Sequence, residues 1–338
     1  MSKLKFVLNK MKTMNYRKML ERAKEVAKKS GKLRIVIFFD MIYCGFKYQA
    51  GYEDYVLFNF HEVPRSKRST YLTRGGNNII INTLNDKMYR SYFDDKAKFL
   101  NNFTEYAKRT YFDLRRASKD DFISWAKTQE TFIAKVIDGD GGKGVNKFTV
   151  SLIEDMDKLY TELIRNNMFI VEETVIQNEK MSSLNPSSIN TIRVYTVYNK
   201  NTDTVAIPFS FVRIGRGGFV DNYHSGGMTS KIDVETGKIL YNCSDRNNDV
   251  FETHPITGVK FVGFEIPMWE EVKSMCLSAA RKFPQIGYVG WDVALTPTGA
   301  LLIEGNAYPG YDVPQNPLFL PDKIGIKPIL EEMTGLKL

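Results

Sequence analysis

The sequence predicts an α+β chain of two or three packed units, and three observations carry that reading. Its 338 residues are 43% hydrophobic and 25% charged, the balance of a globular protein long enough for sizeable cores. From residue 131 onward, short runs rich in Val, Ile, Thr and aromatic residues are separated by turn-formers. These predict strands at 131–137, 147–150, 168–176, 190–198, 205–214, 230–233 and 238–241, and a hairpin at 288–306. Helical spacing intervenes at about 151–166 and 268–283, so strands come in pairs, not in a regular βαβ array.

The N-terminal part reads differently. Residues 1–30 have helical spacing, 34–45 are apolar enough for a helix or a buried strand, and the basic stretch 64–70 reads as a loop. Residues 94–116 have helical periodicity, and 119–126 form a further helix with Asp120 or Asp121 near its start. Residues 1–34 hold twelve Lys or Arg against Glu21 and Glu25, which concentrates the formal +8 there and leaves the remainder close to neutral. Leu4, Phe6, Val7, Met11, Met14, Met19 and Leu20 allow a basic amphipathic helix. Such a helix either packs on its own domain or meets an anionic membrane or glycan surface. The apolar run 33–42 starts late, carries Asp40 and lacks a small-residue cleavage site, so it is not read as a signal peptide. It is also too short to span a bilayer. Cys44, Cys243 and Cys276 show neither metal-ligand spacing nor an even count, which points to a reduced, cytoplasmic setting. No nucleic-acid-binding motif is present, and none is expected to act.

Chemistry concentrates in two places. After Lys135, the run Asp138, Gly139, Gly141, Gly142, Lys143, Gly144 and Val145 supplies glycines whose backbone N–H groups can approach phosphate oxygens. The chain continues from there as a strand, whereas a dinucleotide-binding or Walker loop must open a helix. A Walker loop would need glycine at Ile137, and no His-Arg-Asp or Asp-Phe-Gly triplet of a protein kinase occurs. The run therefore reads as a glycine flap between antiparallel strands. Downstream, Glu172, Glu173 and Val175 lie on a strand end that can offer backbone groups to an adenine edge, with Glu179 as a ribose carboxylate. Arg193, between apolar residues, can clamp phosphate or make a structural ion pair.

The second place is the hairpin around Thr296-Pro-Thr-Gly299. A turn centred on Thr298 puts Asp292 opposite Glu304, with Asn306 on the same face. It assigns Val289, Trp291, Val293, Leu295, Leu301 and Ile303 to the core, and Gly290, Ala294, Ala300 and Leu302 to the carboxylate face. Directly opposed like charges destabilise a bare hairpin, and a hard cation resolves the conflict. Two carboxylates and one amide are too few to cage Ca²⁺ but suit Mg²⁺, which keeps waters and takes further oxygens from phosphates.

In order along the chain, Asp95-Lys96, Lys135 with its glycine loop, Glu172-Glu-Thr-Val175, Ser188 to Arg193, Gly290-Trp-Asp292 and Glu304 to Gly310 resemble the ATP-grasp superfamily. The nearest likeness is its sugar-transfer-associated branch. The resemblance implies two α+β subdomains clamping ATP, at 95–176 and 177–338, behind a basic N-terminal region at 1–94. It implies that Lys96 and Lys135 contact the nucleotide, that the loop 138–145 covers the triphosphate, and that Glu172, Glu173, Val175 and Glu179 meet adenosine. Asp292, Glu304 and Asn306 would hold two Mg²⁺ ions. Arg193 matches a phosphate or acyl-phosphate contact, with Arg213 and Lys231 nearby in the pattern. Gly290 departs from relatives that carry an arginine there, which leaves Arg193 or Arg213 as the replacement. The implied activity is an ADP-forming carboxylate–amine ligase of capsule, exopolysaccharide or O-antigen assembly, joining an amino acid or amine to a sugar. A sugar or small-molecule kinase on the same fold, and a non-enzymatic glycan- or membrane-recruiting module, are the alternatives. His224, in the second glycine-rich loop 215–227, can serve as a base for the amine, although a lone loop histidine is often structural.

Overall fold

The computed structural model describes residues 15–137, 144–217, 221 and 226–338. Two compact units result: the described residues up to Ile81 together with Gly310–Leu338, and Asn82–Pro309. The breaks thus fall at 81/82 and 309/310, a different division from that expected at 94/95 and 176/177. The C-terminal segment joins the first unit through polar ties to its backbone. Gln315 accepts from the Leu72 N–H (2.7 Å) and donates to the Leu72 carbonyl (2.9 Å), and the Tyr311 hydroxyl donates to Asp54 (2.7 Å).

In the first unit, α1 (Tyr16–Ser30) is capped by Asn15, whose side chain accepts from the Lys18 N–H, and ends at Gly31 in the left-handed region. Its apolar stripe, Met19, Ala23 and Val26, is buried. The described part of the basic amphipathic segment therefore packs on its own unit. Residues 34–45, left open between helix and strand, belong to helix α2 (Arg34–Tyr48), which buries Ile37, Met41 and Cys44. After α3 (Tyr52–Leu57), Tyr55, Phe58, Phe60 and Tyr71 complete this core. Within the basic stretch 64–70 Arg68 is buried, donating to the carbonyls of Val63 (3.0 Å) and Phe60 (2.5 Å) and to Asp40 (2.9 Å). Those partners, not solvent, fix the stretch.

Helix α4 (Arg74–Leu84) carries the sequence into the second unit. The helix expected over 94–116 is broken into α5 (Ser91–Asp94), α6 (Lys96–Asn102) and α7 (Thr104–Ala107), followed by strand β1 (Tyr111–Asp113). Two local features cut it. Asp95 caps α6 by accepting from the Ala97 and Lys98 N–H groups, and Lys108 adopts φ 47°, which ends α7.

Helix α8 (Lys119–Ala126) precedes β2 (Thr131–Lys135) and β3 (Val145–Thr149), which pair antiparallel with Lys135 opposite Val145. Helix α9 (Met156–Arg165) and β4 (Ile170–Glu173) complete a four-stranded antiparallel sheet in the order β1-β4-β2-β3. Phe122, Phe132, Leu159, Leu163 and Val171 form its core. The strand expected to run to 176 stops at Glu173, and helix α10 (Glu179–Leu184) follows. Asn178 caps it by accepting from the Lys180 N–H.

The larger sheet contains β5 (Ile192–Asn199), β6 (Thr204–Ala206), β7 (Ser210–Ile214), β8 (Met228–Ile232), β9 (Cys243–Ser244) and β10 (Val250–Phe251). The hairpin strands β11 (Tyr288–Thr296) and β12 (Gly299–Asn306) follow helix α11 (Trp269–Lys282). Its order is β10-β9-β8-β7-β5-β11-β12, with β6 on β5. The strand expected at 205–214 divides into β6 and β7 around Pro208, which cannot donate to a ladder. Residues 238–241 form only isolated bridges, Lys238 with Glu265 and Ile239 with Ile232. Trp291 is the largest fully buried side chain and packs among Phe93, Phe99 and Phe103. A Cβ on Gly305 would lie 2.9 Å from Phe99 and 3.0 Å from Phe93. Glycine there lets α5 and α6 pack directly on β12 and brings the start of α6 toward Glu304.

Candidate active site

The hairpin supplies the centre. Asp292 pairs with Glu304 and Gly290 with Asn306, so the carboxylates do face each other across the ladder. The route differs from the expectation. Thr296 pairs with Gly299 around a two-residue Pro297-Thr298 turn, which is one residue out of step with the carboxylates, and Ile303, left without a partner in the ladder, forms the bulge that restores their register. That single extra residue exchanges the faces beyond it. Ala300 and Leu302, assigned to the carboxylate face, lie in the core with Trp291, Val293 and Leu295, whereas Ile303, assigned to the core, lines the carboxylate cavity and Leu301 lies outside the Trp291 cluster.

Asp292 is held by two guanidiniums. Arg193, directly opposite it on β5, binds bidentately, with Nε to Oδ1 at 2.5 Å and Nη2 to Oδ2 at 2.8 Å. Arg213 on β7 adds Nη1 to Oδ2 at 3.0 Å. A Cβ on Gly290 would stand 2.9 Å from Arg193 Nη1 and 3.2 Å from Pro309, so the arginine occupies the space that the glycine vacates. Burial would raise the Asp292 pKa, yet Arg193, Arg213 and a hydrogen bond from Glu304 outweigh it and hold the carboxyl below its ordinary range. Glu304 moves the other way: burial first, then the Asp292 charge, raise its pKa against Lys96, Arg193 and Lys135. The two carboxyls are thus shifted in opposite directions, Asp292 toward the charged form and Glu304 toward the neutral one.

A second cluster faces Glu304 from the smaller sheet. Lys135, at the end of β2, and Glu172, on β4, are in ion-pair contact. Arg109 donates from Nε to Glu172 Oε2 (2.7 Å) and from its two Nη atoms to the carbonyls of Ala107 (3.2 Å), Leu302 (2.5 Å) and Ile303 (2.9 Å). Burial, with the charges of Arg109 and Lys96, pushes the Lys135 ammonium down to about 7, so its charge depends on the carboxylates beside it. Lys96 donates to the Ile137 carbonyl at 3.2 Å. Lys96, Arg109, Lys135, Glu172, Ile303 and Glu304 together line a cavity of about 10 Å³, room for about one water.

The remaining expected residues are placed as follows. Glu173 ends β4, Val175 lies just beyond it, and Glu179 is exposed at the start of α10. Lys231 stands on β8 opposite Phe211. Asn306 Oδ1 accepts from the Tyr308 N–H at 2.7 Å. Gly144 and Val145 are described, whereas Asp138, Gly139, Gly141, Gly142, Lys143 and His224 lie outside the described residues. Two site groups were not anticipated. Arg109 fell inside a stretch read as continuous helix, which hid its position before β1. Asp221, in the second glycine-rich loop, accepts from the Thr191 N–H (2.7 Å) and hydroxyl (2.5 Å), and burial raises it to about 6 despite Arg213. Its only sequence signal was an acid among glycines.

The donor set fits a small hard cation. Two carboxylates opposed in register and an amide oxygen along the same edge are oxygen ligands of the type Mg²⁺ takes, with both Asp292 oxygens also engaged by Arg193 and Arg213. Among the described residues, no three His, Cys, Asp or Glu side chains cluster as a closed metal cage.

The family described as sugar-transfer associated ATP-grasp matches residues 80–332. The chain belongs to that family. Its α+β architecture is accordingly the ATP-grasp fold. Solved structures similar to this ATP-grasp chain include the ATP-grasp ligase PsnB complexed with a phosphomimetic variant of a minimal precursor, Mg and ADP (12% identity, TM-score 0.39, covering 75% of this chain and 58% of that one). D-cycloserine synthetase DcsG (12%, 0.41, 71% and 70%) and D-alanyl-alanine synthetase A from Vibrio cholerae O1 biovar eltor str. N16961 (13%, 0.39, 74% and 63%) are similar at the same level. The chain therefore spans less than two thirds of the length of PsnB. No curated protein matches.

Proposed function

We propose that this ATP-grasp chain is an ATP- and Mg²⁺-dependent, ADP-forming ligase that joins a carboxylate to an amine. The observation that carries the reading is the mutually opposed pair of buried Asp292 and half-buried Glu304, flanked by Lys96, Lys135 and Arg193. Asp292, Glu304 and Asn306 would hold the metal, with two ions expected. Bound there, Mg²⁺ supplies charge neutralisation at the phosphates. Lys96 and Lys135 bind phosphate oxygens, and Glu172, held by Arg109, orients Lys135. The flap 138–145 excludes water, while the backbone at Glu173 and Val175 meets adenine and Glu179 the ribose. Arg193 and Arg213, with Lys231 beyond them, position the carboxylate as it attacks the γ-phosphorus. The amine then displaces phosphate from the acylphosphate, with Asp221 and His224 on the loop that receives it. The family's description supports a sugar-linked substrate, such as a uronic acid, in capsule, exopolysaccharide or O-antigen assembly. A cytoplasmic setting, with peripheral contact to anionic membrane or glycan through residues 1–34, completes the proposal. Among the described residues, no helix is long and apolar enough to cross a membrane.

Incubation with ATP, Mg²⁺, hydroxylamine and pooled uronic acids or amino acids is expected to yield hydroxamate and ADP. A phosphorylated product without hydroxamate would assign the site to a kinase, and failure of Mg·ATP to bind by calorimetry would assign the chain to a non-enzymatic role. Gly290→Ala places a methyl against Arg193 and is expected to cut turnover about 100-fold, the cost of misplacing a binding group by roughly an ångström. Nucleotide binding should change much less. Equal turnover in Gly290→Ala would mean that Arg193 does not need its present position.

A further inference from the structure

Helix α2 carries two apolar faces. One, through Ile37, Met41 and Cys44, is buried in the first unit. The other, at i, i+4 and i+11, consists of Ile35, Phe39 and Phe46, with Val36 beside them, and these four are 57%, 60%, 49% and 53% exposed. Leu33, immediately before the helix, is 71% exposed. A stripe of large aliphatic and aromatic side chains in water marks an interaction surface, because single scattered residues would not align on one helix face. Residues 33–46 also lie outside the 80–332 segment that matches the family, so nucleotide chemistry does not account for them.

The stripe is bordered by a cleft of about 520 Å³ whose charged lining is Lys32, Arg65 and Arg68 against Asp40. Lys32 donates to the His61 carbonyl, Arg65 lies with its guanidinium 5.0 Å from the Tyr43 ring centre and largely exposed, and Arg68 forms the floor. The acids nearby are Asp40 and Glu62. Asp40 is neutralised by Arg68 at 2.9 Å with Arg65 at 3.8 Å, and Glu62 lies 3.5 Å from His61. Two exposed cations of α2, Arg34 and Lys47, the latter 5.5 Å from the Tyr43 ring centre, add positive charge to the helix.

We propose that α2 and this cleft form an interfacial docking face for a bilayer containing anionic phospholipid. Ile35, Val36, Phe39 and Phe46 enter the acyl boundary, and a lipid phosphate sits at Lys32 and Arg65. Fifteen residues are too few to cross a bilayer, so the helix lies in the interface plane. Charge selects this occupant over a second copy of the chain. A two-fold contact through the face would bring the cations Lys32, Arg34, Lys47 and Arg65 of one copy toward those of the other. The sequence placed such a role on the basic segment from Leu4 to Leu20; of its described residues Met19 is buried in the core, whereas the stripe of α2 is exposed.

The test is co-sedimentation of the full chain with phosphatidylcholine vesicles and with vesicles in which phosphatidylglycerol replaces part of that lipid. Binding is expected on the anionic vesicles, at least tenfold weaker on the neutral ones and weaker at high salt. Phe39→Glu and the pair Lys32→Ala with Arg65→Ala should each reduce it at least tenfold, with circular dichroism unchanged because all three sites are at the surface. Phe39→Trp should retain binding and add a blue-shifted emission component on anionic vesicles. Undiminished binding of Phe39→Glu, or an emission spectrum of Phe39→Trp that anionic vesicles leave unshifted, would overturn the proposal. A dimer that dissociates in Phe39→Glu without any vesicle binding would overturn it in favour of a second copy.

Discussion

Glu304→Gln is expected to lower Mg²⁺-dependent ATP turnover by about a thousandfold, roughly 4 kcal/mol of transition-state stabilisation, while leaving the metal-free chain at least as stable as before. The two halves of this expectation have one cause. Glu304 is raised above the usual carboxylate range by burial and by Asp292, which it faces in register. In the metal-free chain its charge is a liability, and an uncharged amide of the same shape can still donate to Asp292. Because the folded-state pKa is raised, the associated stability is present at low pH and is lost as pH rises through the raised value. Gln should remove that loss. With Mg·ATP the order reverses, since the carboxylate is what the cation needs. The native chain should gain thermal stability from Mg·ATP by mass action, and Glu304→Gln should gain little. Melting curves with and without Mg·ATP, beside a turnover assay, check both halves. Unchanged turnover would show that the metal face is wrongly assigned.

The hairpin shows what sequence reasoning can reach. Alternation and a Pro-Thr turn were enough to place Asp292 opposite Glu304, because strand period and charge repulsion are local. The bulge at Ile303 was not legible, since it depends on what each face packs against. Two one-residue errors, in turn centre and in bulge, cancelled at the carboxylates and did not cancel at Ala300, Leu302 and Ile303. The family was legible too, because glycine loop, acids and hairpin occur in a fixed order. What escaped was set by tertiary partners. Residues 94–116 have helical spacing throughout, yet an Asp95 cap and a left-handed Lys108 divide them. The same misreading concealed Arg109.

Arg109→Met is expected to destabilise the second unit by about 3–5 kcal/mol, the usual cost of leaving one member of a buried ion pair without its partner. The guanidinium is 2% exposed and joins three segments: the end of α7 through Ala107, β4 through Glu172, and the bulged part of β12 through Leu302 and Ile303. Methionine replaces its volume but none of its donors. Glu172 would then depend on Lys135 alone, and burial already depresses that ammonium. Three carbonyls, those of Ala107 and Leu302 buried and that of Ile303 partly so, would also lose a partner. All three tryptophans, Trp125, Trp269 and Trp291, lie in this unit, so urea unfolding followed by their fluorescence reports it selectively. Combining Arg109→Met with Glu172→Met should recover part of the loss, because a buried pair replaced by apolar groups of similar volume is often nearly neutral, while Lys135 loses its carboxylate partner in the double variant. If Arg109→Met instead shifts stability by less than about 1 kcal/mol, the guanidinium does not fasten the hairpin. A loss that the double variant leaves unrecovered would instead place the cost in the carbonyls of the bulge. Since those carbonyls flank Glu304, nucleotide affinity should then fall with stability, and the arginine would set the position of the metal carboxylate as well as that of Lys135.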